Sequence, residues 1–143
     1  MHTYFLFIIK KDTYKLYSKN TYILFELLKN LYELEKNNFV YGISVYHQIC
    51  TPISKKLLSN YISEKVPSIK LQKDTYKILS FFENTTIQIN YSNIIVKTNK
   101  VLPSVYKIFH VYHENIFICD FKRNKFFWLD KALKMETQRK NNI

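Results

Sequence analysis

The chain has 143 residues and one glycine, Gly42. Phosphate-cradling loops need several glycines, so no G-x-G-x-x-G and no G-x-x-x-x-G-K can be present, and the G-x-S-x-G nucleophile elbow is also missing. Simple nucleotide-binding and α/β-hydrolase chemistries are excluded on that ground. Three prolines and no linker-like tract argue against a chain divided into domains. Cysteine is limited to Cys50 and Cys119, with no C-x-x-C, which reads as two buried thiols in a reducing compartment. Arginine is limited to Arg123 and Arg139, which leaves few of the guanidinium forks that read base edges. No apolar run approaches the length of a membrane span. The apolar stretch after Met1 is too short for a signal peptide. A soluble, cytoplasmic protein is expected.

Aromatics and lysine are abundant. Aromatic residues make up 17% of the chain and hydrophobic residues 47%, too much for a disordered segment. Lys and Arg number 22 against 11 Asp and Glu, a formal charge of +11. Such a surplus suits nucleic acid or an anionic membrane. It comes, however, with many Asn, Ile, Tyr and Phe, the other residues of A/T-rich codons, so a biased genome accounts for it as readily. A chain of this length buries about two-thirds of its unfolded surface, enough for one core.

Along the chain, Tyr4–Ile9 is a continuous β-branched and aromatic run that predicts an interior strand. Asp12 is placed to cap a short helical turn carrying Thr13, Tyr14, Leu16 and Tyr17. A longer helix follows from Asn20 or Thr21 to about Glu35, with Leu24, Leu27, Leu28, Leu31 and Leu34 on one stripe. Ile43–Ile49 reads as a second strand. Ser54 caps a helix to about Val66. Asp74–Phe82 is ambiguous and is assigned to helix on the strength of Asp74 as a cap. Thr86–Asn90 and Ile94–Thr98 form a hairpin. Pro103-Ser104 opens a helix with Val105, Ile108, Phe109 and Tyr112 inward. Phe117–Phe121 and Phe126–Leu129 form a second hairpin around Lys122-Arg123-Asn124-Lys125. The predicted fold is α/β (α+β): a single domain over residues 1–130, a mixed or antiparallel sheet with packed helices, and a polar tail over 131–143 that frays.

Catalytic chemistry finds little support. His110 and His113 stand at i and i+3 beside Glu114, but no further ligand has matching spacing, so no metal is expected. No carboxylate pair is forced together by spacing. A small toxin-like ribonuclease would also be compact and basic, yet its usual Arg and His cleft residues are not evident. No enzyme and no cofactor are expected. The basic patches Lys122–Lys125 and Lys131–Lys140, interleaved with Phe126, Phe127 and Trp128, offer an alternative as a nucleic-acid-binding hairpin and tail. The sharper anomaly is the short capped turn. It carries Tyr14 and Tyr17 next to a helix with more apolar surface than one stripe needs, the composition of a protein-binding hot spot.

Three segments resemble a known family. Tyr4-Phe5-Leu6-Phe7-Ile8-Ile9-Lys10, Tyr17 and Phe25-Glu26-Leu27-Leu28 resemble the opening of SirA, the sporulation inhibitor of replication of endospore-forming bacteria. Ile49-Cys50-Thr51-Pro52-Ile53 and Phe117-Ile118-Cys119-Asp120-Phe121 with Trp128-Leu129 resemble its later segments in order and spacing. The resemblance implies a non-enzymatic inhibitor that binds the N-terminal domain of the initiator DnaA through an apolar, mostly helical surface. It would block productive assembly at the origin during sporulation, as a monomer forming a heterodimer, with no membrane contact and no direct specific nucleic-acid binding. The family's two aromatics after the first strand fall on Thr13, a departure flanked by Tyr14, and on Tyr17. A family glutamine falls on Val45 without gaps, with Gln48 three residues on. The resemblance thus implies Thr13, Tyr14, Tyr17 and Gln48 as protein-binding residues.

Overall fold

A computed structural model of the chain describes residues 1–34 and 36–141. Glu35, where the long helix was expected to end, and Asn142 and Ile143 of the tail lie outside the described residues. The elements run β1 (His2–Ile8), α1 (Lys11–Tyr17), α2 (Thr21–Glu33), a single 3₁₀ turn (Lys36–Asn38), α3 (Phe39–Ile49), α4 (Lys55–Lys65), β2 (Lys70–Gln72), β3 (Thr75–Leu79), β4 (Asn84–Ile89), β5 (Ile94–Thr98), α5 (Val105–Tyr112), β6 (Ile116–Asp120), β7 (Lys125–Trp128) and α6 (Leu129–Asn141).

One antiparallel seven-stranded sheet has the order β2-β3-β4-β5-β1-β6-β7. β1 lies between β5 and β6, with Phe5 opposite Ile95 on one side and Cys119 on the other. That interior position explains its unbroken apolar run, since both faces are covered. Both expected hairpins belong to this sheet. The fold is α+β, as the residue pattern predicts.

Each face of the sheet has its own core. On one face Tyr4, Leu6, Tyr76, Ile87, Val96 and Ile118 meet Leu58 and Ile62 of α4, Tyr106 and Phe109 of α5 and Leu129 at the start of α6. On the other, Phe7, Phe117, Cys119 and Trp128 meet Leu24, Phe25 and Leu28 of α2 and Tyr46, Ile49 and Cys50 at the end of α3. The alternation of β1 feeds both cores. Cys50 and Cys119 are buried thiols without a disulfide.

Four local expectations are corrected. Ile43–Ile49 is helix, not strand: Tyr46, Ile49 and Cys50 reach the core at i, i+3 and i+4, and helical burial outweighs the β-branched Ile43 and Val45. Gly42 sits within this helix where a Cβ would meet Leu34 Cδ1 at 3.0 Å, so the glycine allows a close approach to α2. Asp74–Phe82 is not helix. Thr75–Leu79 is a strand that buries Tyr76 and Ile78 at period two, and it pairs with β2 through a turn in which Lys73 has φ 56°. A lysine in the left-handed region carries no turn signature. Asp12 does not cap α1. The helix starts one residue before it, with Lys10 at the cap position and no side-chain bond there. By contrast Ser54 does cap α4, its Oγ accepting from the Leu57 N–H at 3.3 Å. The tail expected to fray is helical from Leu129 to Asn141, and the Lys140–Glu136 pair at 2.9 Å spans one of its turns.

Candidate protein-binding surface

The end of β1 organises the candidate surface. Past Ile8 the chain pairs briefly with the segment after α3, where Ile9 bridges Cys50. The Lys10 N–H donates to Ile49 O at 3.0 Å and the Thr51 N–H to Ile8 O at 2.8 Å. The start of α1 is therefore held against the end of α3. Thr13 is buried there, and its Oγ1 donates to Gln48 O at 3.2 Å. Two of the sequence-predicted residues, 35 positions apart, are in direct contact.

Tyr14 and Tyr17 are half-buried against the core on this face of the sheet. The Tyr14 ring meets Trp128 edge-on, with centroids 4.8 Å apart. The Trp128 indole N–H donates to Ser18 O at 3.3 Å, which fixes the far end of α1 to β7. Part of each tyrosine is thus spent on the core, and part remains outward. Gln48 is exposed. Val45, the ungapped alternative, packs half-buried against the core instead.

Helices α1–α3 leave several large apolar residues exposed among Lys11, Asp12, Lys15, Asn30, Glu33 and Ser44. Leu16 is 69% exposed, and Tyr22, Ile23, Phe39, Val40 and Tyr41 are also exposed. The sequence marks Leu16 on the short turn and a surplus on the long helix, but it does not mark Phe39, Val40 and Tyr41, which precede the segment read as a strand. The surplus itself was the available signal.

The other candidates resolve differently. Among the described residues no group of three or more His, Cys, Asp or Glu side chains is placed to hold a metal ion. His113 Nδ1 accepts from the Asn115 N–H at 3.2 Å, and burial pulls its pKa below the ordinary value, partly opposed by Glu114. His110 and Asp130 line a cavity of about 400 Å³ with Lys11, Tyr14, Glu114 and Lys134, and His110 Nδ1 and Asp130 Oδ1 are buried without a hydrogen-bond partner among the described residues. Burial pushes the thiols of Cys50 and Cys119 and the phenol of Tyr46 upward, so neither cysteine is a poised nucleophile. In the last hairpin Arg123 is engaged by the buried Asp120 carboxylate at 3.1 Å. Trp128 is buried, and Phe126 and Phe127 pack against opposite cores. Among the described residues no helix is long and apolar enough to cross a membrane.

No family model and no curated protein matches the chain.

Proposed function

We propose that the protein is a non-enzymatic binder of another protein, and that its partner is the N-terminal domain of the replication initiator DnaA, whose assembly at the origin it blocks during sporulation. The observation that carries this reading is the Thr13–Gln48 contact. It brings two separate segments, the one after β1 and the end of α3, onto one surface beside exposed apolar residues of α1 and α2. The resemblance to SirA assigns binding to the same two segments and supplies the identity of the partner.

Tyr17 is the anchor in this reading. A half-buried tyrosine is held by its own fold yet presents area to a partner at small entropic cost. Thr13 acts by positioning: it is buried and fastens α1 to α3. Gln48 offers its exposed amide at the rim.

Calorimetric titration of the chain with the isolated initiator domain tests the proposal. A one-to-one complex is expected, with Tyr17→Ala weakening it by roughly thirtyfold or more, about 2 kcal/mol. Lys56→Ala, at an exposed position of α4 on the other face of the sheet, should leave it unchanged. Failure of the unaltered protein to form the complex overturns the assigned partner.

A further inference from the structure

The helices α1, α2 and α3 cover only part of their side of the sheet. The core they form takes strand residues from β1, β6 and β7, and none from β2–β5. Among the described residues the same face of β2–β5 is therefore without a helical cover, and its residues follow from the register. Lys70 stands opposite Lys77, Lys77 opposite Thr86, Thr86 opposite Lys97, and Lys97 opposite Thr3. Cross-strand partners share a face, so these five form one continuous row. Two residues along, a second row runs Gln72, Thr75, Gln88, Ile95 and Phe5. Lys70, Gln72, Gln88 and Lys97 are exposed.

This row has three properties a solvated surface does not require. Lys70 and Lys77 are directly apposed, which costs stability through like-charge repulsion. Strands β1–β5 contain no Asp or Glu at all, so no carboxylate of these strands neutralises the row. The parallel polar row ends on an aromatic platform, where Phe5 lies 4.9 Å from Tyr32 and Tyr32 stacks on Phe121 at 4.7 Å and 14°. Tyr32 is 55% exposed.

We propose that this open sheet face binds single-stranded RNA without sequence preference. The lysine row spans β2 to β5, roughly 14 Å at ordinary strand spacing, enough to follow two or three successive phosphates. The adjacent Gln and Thr side chains supply donors and acceptors for 2′-hydroxyls, the group that separates RNA from DNA. The Phe5–Tyr32 platform offers a ring on which a terminal base stacks. A duplex has its bases closed to such a platform. This site meets the α1–α3 layer at Tyr32 of α2 and does not depend on the partner proposed for that layer.

Fluorescence anisotropy with a labelled oligouridylate of about 15 nucleotides, set beside oligothymidylate and a duplex of equal length, tests the assignment. The ribo strand is expected to bind tightest. With three lysine–phosphate contacts its affinity should fall roughly twentyfold between about 50 and 200 mM salt. The triple variant Lys70→Gln, Lys77→Gln, Lys97→Gln should lose roughly tenfold or more at low salt while its melting temperature is unchanged or raised. Lys131→Gln, Lys134→Gln, Lys140→Gln on α6 removes the same charge elsewhere and should change binding far less. Tyr32→Ala should weaken binding roughly fivefold or more. Equal losses in the two triple variants would mean attraction by net charge alone and would overturn the site. Equal or tighter binding of the deoxy strand or of the duplex overturns single-stranded RNA as the ligand. Lys97→Gln alone, at an exposed position, provides the comparison should the triple variant fold poorly.

Discussion

At the scale of single residues, Thr13 and Tyr17 separate fold from the proposed recognition. Thr13 is buried and hydrogen-bonded, so Thr13→Val should lower stability by about 1 kcal/mol in a denaturant titration. The larger Thr13→Phe should cost roughly 1–3 kcal/mol by overpacking, even though the resembled family places an aromatic there. Tyr17→Ala should behave in the opposite sense, weakening the proposed complex far more than the fold. If melting falls by several degrees and binding persists, the ring is core and the surface is misassigned. His113 provides a pH signature. Its Nδ1 accepts a backbone hydrogen bond and burial depresses its pKa. The unfolded chain therefore takes up the proton first. Stability contributed at this site is complete above 6.5, the ordinary histidine value, and is lost as pH falls through the lower folded pKa. Urea midpoints measured across that range should decline with falling pH, and the decline should shrink in His113→Asn.

At the scale of elements, legibility tracked how local the deciding interaction is. The Ser54 cap and the turn at Tyr91-Ser92-Asn93 are written within a few residues, and both were readable. Ser54→Ala should accordingly cost about 1 kcal/mol of stability by thermal melting. α3 was not readable as helix, because Ile43 and Val45 favour a strand and only the core contacts of Tyr46 and Ile49, made with distant elements, reverse that preference. The β2–β3 hairpin was hidden for the complementary reason. Lys73 takes a left-handed turn normally given to Gly or Asn, and β2 is a short, fully exposed edge strand without the pattern of burial. The candidate surface was half readable. Tyr14 and Tyr17 stood out on a short helix, whereas the Thr13–Gln48 contact depends on how α3 returns to β1.

At the scale of the whole molecule, the sheet separates two cores that share β1, β6 and the end of β7. Cys50 and Cys119 lie in the same one, with their thiols pushed upward by burial. A thiol reagent should therefore react with neither in the native protein at neutral pH. Both should react together when the domain unfolds, at a rate set by opening rather than by reagent concentration. Early modification of one cysteine alone would show that α3 detaches independently of the sheet.

The place of β1 between β5 and β6 has a consequence for biosynthesis. The first strand of this sheet to leave the ribosome has both of its neighbours more than 80 residues further on, at Ile94–Thr98 and Ile116–Asp120. At about 5–20 residues per second the nascent chain spends roughly 5–25 s with that apolar segment unpaired. Meanwhile α1 to α4 are already available, but the two sheet faces they pack on are incomplete. The domain is thus assembled last at its centre. Arrested ribosome complexes stalled before Ile116 should leave residues 2–8 open to protease, and protection should arrive in one step once β6 has cleared the exit tunnel.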